Sequence, residues 1–207
     1  MLLYDRGNLS YSESWMRDFK TTFEQDGGVI AVAIPFDSGP DVHFRALARR
    51  VLVDKPDGLV IIANAVDAAL ICQQMRAIDT HIQIGTSEWA ATEQVIELGG
   101  KAIEGIYQAQ LTDRFSVQPE YLQFRQSYLK RFGKEPGYAG VTAFDATNVI
   151  LEALARKQPE QSLKETILAI GKFKGLQEPM VFDASGEAPR KNFVTVIKNG
   201  HFKVLEP

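Results

Sequence analysis

A strand, a helix and another strand recur four times within the first hundred residues, and this alternation constrains the fold more than any other feature of the chain. Residues 2–4 read as a short apolar strand. Ser10-Tyr11-Ser12-Glu13 has the Ser-x-x-Glu form of a capping box and predicts a helix start, after which Trp15, Phe19 and Phe23 fall four apart on one face. Gly27-Gly28 ends that helix, residues 29–34 read as a continuous apolar strand covered on both faces, and 35–40 as a loop. The second helix is expected from about Asp41, turning Phe44, Leu47, Ala48 and Val51 inward. It stops before Lys55-Pro56-Asp57-Gly58 and yields to a strand over 59–62. In the third unit Asn64 is a plausible cap, and Ala68, Ile71, Cys72, Met75 and Ile78 form the buried stripe. Residues 81–84 give the next strand and about 90–98 the fourth helix.

Strands separated by helices of this length must pair in parallel, because each crossover returns over the sheet. Right-handed crossovers then give an open, doubly wound α/β sheet. Ligands of such sheets collect beyond the carboxyl ends of the strands, which directs attention to the loops 5–12, 35–41, 63–67 and 85–89. After residue 107 the pattern changes. Helices are expected over 118–131, 138–156 and 160–170 with no strand between them, then a strand over 180–183 and a β-hairpin over 193–204 that turns at Asn199-Gly200. Helices without a sheet leave the faces of Tyr121, Phe124, Tyr128, Phe144 and Ile150 in need of cover.

Composition narrows the chemistry. With 207 residues, 45% of them hydrophobic, the chain can bury a real core, and a net charge of −3 with acids and bases interleaved offers no basic stripe for nucleic acid. No apolar run approaches the roughly 18 to 20 residues that cross a bilayer, and the N-terminus shows no secretion signal. The single Cys72 reads as apolar filler, and His43, His81 and His201 sit on separate elements without partners at ligand spacing, so no metal site is expected. Ser87 lacks the elbow of a hydrolase nucleophile, and no glycine-rich phosphate loop follows any strand. The residues point to recognition without a cofactor instead of catalysis.

At this level the chain resembles the C-terminal portion of a type I periplasmic solute-binding protein, the branched-chain amino acid or amide class of ABC transporter receptors. The resemblance rests on Tyr11-Ser12-Glu13 after the first strand, Asp41 and Phe44 at the second helix, and Pro56-Asp57 before a strand. It continues through Phe124-x3-Tyr128-x3-Phe132-Gly133-Lys134-Glu135-Pro136, Ala143-Phe144-Asp145-Ala146 and Gly175-x3-Pro179-Met180-Val181-Phe182-Asp183-x2-Gly186. It implies two lobes that close by a hinge on a small ligand. Residues 1–113 would form the second, ligand-binding lobe, 114–175 the helical portion of an incomplete first lobe, and 176–207 the strands that return. It also implies that the family's N-terminal segment, which completes the cleft, is absent from this chain.

The resemblance places Glu88, just past the fourth strand, where amino-acid receptors hold the acid that pairs with a ligand ammonium. The alternative is a solvated acid in the first turn of a helix. Tyr11 stands where the family packs an aromatic on the ligand, or else packs on its own neighbours. Ser87, Asn64, Ala65 and Tyr138 complete the candidate set, although Asn64-Ala65 lacks the glycine pair and aromatic common in amino-acid receptors; the alternatives are a helix cap for Asn64 and a core residue for Tyr138. The implied partners are a small amino acid or amide, a membrane permease and, over the incomplete lobe, a second copy of the chain. The implied location is periplasmic or extracellular. A ligand-sensing regulatory domain of the same fold is the alternative function, and an enzyme the weakest reading.

Overall fold

The computed structural model describes residues 1–205; Glu206 and Pro207, the end of the terminal segment expected over 176–207, lie outside the described residues. The chain divides into two compact units, one of residues 1–110 together with the described residues from Val194 on, the other Leu111–Phe193.

The first unit is built on β1 (Leu2–Asp5), β2 (Ala33–Phe36), β3 (Gly58–Ile62), β4 (Gln83–Thr86), β5 (Tyr107–Gln110), β8 (Phe193–Lys198) and β9 (His201–Val204) in the order β2-β1-β3-β4-β5-β8-β9. β1, β2, β3, β4 and β5 pair in parallel and β8 with β9 antiparallel, so the open, mostly parallel sheet expected from the alternation is present. Between these strands run α1 (Leu9–Gln25), α2 (Phe44–Leu52), α3 (Ala65–Arg76) and α4 (Glu93–Gly99). One face of the sheet packs Leu3, Ile34, Leu59, Ile61 and Ile84 against Ala48, Val51, Ile71 and Met75 of α2 and α3 in one continuous core. On α1, Phe19 and Phe23 line a hollow with Val60, Gly85 and Tyr107. β3 is central and nearly all apolar because neighbours cover it on both sides.

Several local expectations change in the fold. The chain leaves β1 through a turn of 3-10 helix at Arg6–Asn8, so α1 begins at Leu9 and no capping box forms at Ser10. Ser12 is instead buried, with its hydroxyl donating to the Asp5 carbonyl. Residues 29–32 are not a buried strand: Val29 is 79% exposed, and β2 starts four residues late. That shift places Pro35 inside a strand, tolerated because β2 lies at the sheet edge and pairs only with β1. Ile78 falls beyond the end of α3 and is exposed. The fourth helix is split, with a 3-10 turn at Glu88–Ala90 preceding α4. The hairpin turn does form at Asn199-Gly200, both residues at positive φ, and the Glu104 carboxylate accepts both turn N–H groups at 2.9 and 2.6 Å.

The second unit contains α5 (Pro119–Phe132), α6 (Tyr138–Arg156), α7 (Leu163–Ile170) and a small antiparallel pair, β6 (Lys172–Phe173) with β7 (Met180–Val181). Gly133 adopts the left-handed conformation that closes α5, and a capping box between Ser162 and Glu165 opens α7. β6 has no signal in the sequence pattern, being two residues long. Tyr121 is covered within the unit by Val141 and Leu176, and Val149 packs with Phe173 and Met180. Phe144, Ile150, Leu151 and Leu154 on α6 remain exposed. An open groove of about 740 Å³ runs between α5 and α6, with Phe124, Phe144, Leu151 and Leu176 on its walls.

Candidate functional site

The parallel sheet of the first unit brings the ends of β1, β2, β3 and β4 to one edge, and the loops there are joined by buried polar groups. Asp5, 2% exposed at the end of β1, accepts the N–H of Gly7 at 2.8 Å and of Ser38 at 3.2 Å. Ser38 in the β2–α2 loop gives its hydroxyl to Asp67, which also accepts the Asn64 amide at 2.8 Å. Asn64 is the cap of α3, accepting the N–H groups of Val66 and Asp67 at 2.9 and 3.0 Å. Its side chain is thus engaged as the cap reading expects. A buried carboxylate needs this many donors to offset lost hydration. Arg6 and Asp37 add an exposed ion pair at the rim.

Glu88 sits in the 3-10 turn after β4, half-buried, with both oxygens occupied. Oε1 accepts the Tyr11 hydroxyl at 2.7 Å and Oε2 accepts the Trp15 indole N–H at 2.9 Å. Tyr11 and Trp15 are four apart on α1 and share a face. The Tyr11 ring also meets Trp89 edge to face at 5.5 Å. Burial pushes the Tyr11 phenol well above the ordinary tyrosine range, with the bond to Glu88 adding to the rise and the nearby Ser87 hydroxyl opposing it. The phenol therefore keeps its proton at neutral pH.

The structure brings Glu88, Ser87 and Tyr11 together. Ser87 is fully buried, its backbone N–H donating to the Ile61 carbonyl at 3.0 Å, and its hydroxyl lies near Tyr11 without a well-formed hydrogen bond. Asn64 and Ala65 lie at the end of β3; Ala65 is 4% exposed in the first turn of α3 and has no polar side chain to offer. Tyr138 belongs to the second unit, where it is half-buried at the start of α6 and its carbonyl accepts the Thr142 hydroxyl at 2.9 Å.

Two groups near this edge were not foreseen. Trp15 reads in sequence as one member of an apolar stripe, and only the tertiary fold turns its N–H to Glu88. Behind Ser87, Thr86 accepts from Gln108 at 3.0 Å, Thr195 accepts from Gln110 at 3.1 Å, and the Gln108 Oε1 is buried without a protein partner. The even spacing of Gln108 and Gln110, which puts two amides on the buried face of β5, is the available signal. Among the described residues no group of three or more His, Cys, Asp or Glu side chains converges to hold a metal ion. The arrangement can accept hydrogen bonds at a fixed carboxylate; it presents no nucleophile paired with a base.

Solved structures share this fold. The leucine binding protein LivK of Thermotoga maritima is 25% identical with a TM-score of 0.87, the match covering 99% of this chain and 59% of that one. The branched-chain amino acid transporter substrate binding protein LivJ of Streptococcus pneumoniae, in complex with isoleucine, is 18% identical (TM-score 0.83; 100% and 60% covered). A solute binding protein of an ABC transporter from R. palustris, in complex with benzoate, is 19% identical (TM-score 0.82; 99% and 56% covered). The chain thus spans about three-fifths of the length of these relatives. No curated protein matches. The periplasmic binding protein family model matches residues 2–201, nearly the whole chain, and the chain belongs to that family.

Proposed function

We propose that the chain is part of the solute-binding receptor of an ABC transporter, which captures a small polar ligand, an amino acid or amide, in a cleft between lobes and hands it to a membrane permease from the periplasm or cell exterior. In this reading residues 1–113 form the ligand-facing lobe, 114–175 the helical part of the other lobe, and 176–207 the returning strands. Capture, without turnover, is the activity. The observation that carries the reading is the Glu88 carboxylate, fixed at the ligand-side edge of the sheet by Tyr11 and Trp15. A fixed carboxylate in a closing, partly dry cleft forms a strong charge-assisted hydrogen bond to a primary ammonium, and contacts made only in the closed state drive the hinge. The ligands named for the relatives, leucine, isoleucine and benzoate, include both ammonium-bearing and ammonium-free solutes.

A thermal-shift series with amino acids and amides tests this. A ligand at a hundred times its Kd should stabilise the protein by about 2.7 kcal/mol. Glu88→Ala should abolish the response to amino acids; an undiminished response in that variant would remove Glu88 from the site.

A further inference from the structure

The two donors that hold Glu88 are not equivalent. A phenol can donate or accept, whereas an indole Nε1–H only donates. Whatever the Tyr11 hydroxyl does, the Trp15 N–H at 2.9 Å requires Oε2 of Glu88 to be an acceptor along that line. The indole is itself held in place. Its ring stacks on Phe19 with centroids 5.4 Å apart and planes 11° from parallel, and Phe19 stacks in the same way on Phe23. The aromatic ladder along α1 thus aims one donor at one carboxylate oxygen 73 residues further along the chain.

Resting on the reading of Glu88 as a ligand-facing acid, we propose that Trp15 is a positioning and specificity-determining residue: it holds Oε2 of Glu88 as an acceptor while Tyr11 donates to Oε1, so the carboxylate takes a ligand group that donates, a primary ammonium, in preference to a carboxylate at the same place. A carboxylate brought to Glu88 would meet an acceptor already oriented by two donors, and like charges in a partly dry site repel. Each oxygen, having accepted one hydrogen bond, still has capacity for a second from an ammonium.

The chain has two tryptophans, so 15N-indole labelling gives two side-chain signals, assigned with Trp15→Phe. The Trp15 proton should resonate downfield and move when Glu88→Gln is introduced. In the wild type it should also move on adding L-leucine and stay in place on adding benzoate at the same concentration. Trp15→Phe keeps an aromatic ring to stack on Phe19 but loses the donor, and should weaken L-leucine binding about tenfold while narrowing the preference over benzoate. A Trp15 signal indifferent to Glu88→Gln would overturn the inference, as would a Trp15→Phe variant with unchanged affinity and preference. A signal that responds to Glu88→Gln while L-leucine produces no shift would instead overturn the reading of Glu88 as the ammonium acceptor, and the specificity role with it.

Discussion

The two units bury their apolar residues by different means. In the first, Leu3, Leu59, Ile61 and Ile84 from neighbouring strands and Ile71 and Met75 from α3 meet in one continuous core, because a sheet gives every strand a shared face. In the second, α5, α6 and α7 form two separate small clusters, one around Tyr121 and one around Val149 that takes in Phe173 of β6 and Met180 of β7. Leu151 and Leu154 consequently stay 58% and 53% exposed. Helix formation is a local matter; covering a helix face is not. A sequence that writes clear helices can still leave their apolar sides open when the covering layer is not in the same unit.

This contrast can be broken by substitution. Ile61→Ala, at a side chain with no exposure, should cost about 3–4 kcal/mol in urea unfolding, while Leu151→Ala should change stability by no more than about 0.5 kcal/mol. Equal losses would mean that the α6 stripe is covered in solution. Asp145 is the main buried charge of the second unit, accepting the Leu176 N–H at 2.9 Å and lying 3.5 Å from Arg190. Asp145→Ala strands that N–H and should cost about 2–3 kcal/mol by the same assay. Burial, the dominant influence, raises the Asp145 carboxyl above its ordinary value of about 3.9, against the opposing Leu176 N–H and Arg190. The unfolded chain therefore loses this proton first. The stabilisation is full below the ordinary value and is lost as pH rises through the raised one. Asp145→Asn keeps an acceptor and removes the titration, so wild type should lose stability relative to this variant as pH rises above about 3.9; a flat difference would contradict the shift.

Helix caps and surface pairs have smaller effects. Ser162→Ala should cost about 1 kcal/mol by removing the capping box of α7, whereas Ser10→Ala, where the sequence suggests such a box and the fold makes none, should cost less than half of that. Arg17→Ala, which breaks an exposed pair with Glu13, should be nearly silent in thermal melts.

The Ser10 and Ser162 pair also shows what was legible in the chain. Features written by a few adjacent residues were readable: α6 runs over residues 138–156 as its periodicity predicts, Asn64 caps α3, and Asn199-Gly200 turns the hairpin. Features that depend on a distant partner were not. Val29–Val32 has the composition of a buried strand, but the ladder with β1 begins at Ala33. Ser10 and Glu13 fit a capping box, but the helix already begins at Leu9. At the candidate site, the resemblance to solute-binding receptors points to Glu88 and Tyr11 after their strands, while Trp15 is hidden because its spacing with Phe19 and Phe23 is also that of an ordinary core stripe. Only the contact across to Glu88 distinguishes the two.

The role proposed for the Glu88 carboxylate, acceptor of a ligand ammonium, is tested most directly by a crystal structure of the protein with a bound amino acid. The ligand nitrogen should lie about 2.7–2.9 Å from a Glu88 oxygen, with Tyr11 and Trp15 still donating to the same carboxylate. A ligand bound with its nitrogen elsewhere, or with its own carboxylate turned toward Glu88, would contradict it.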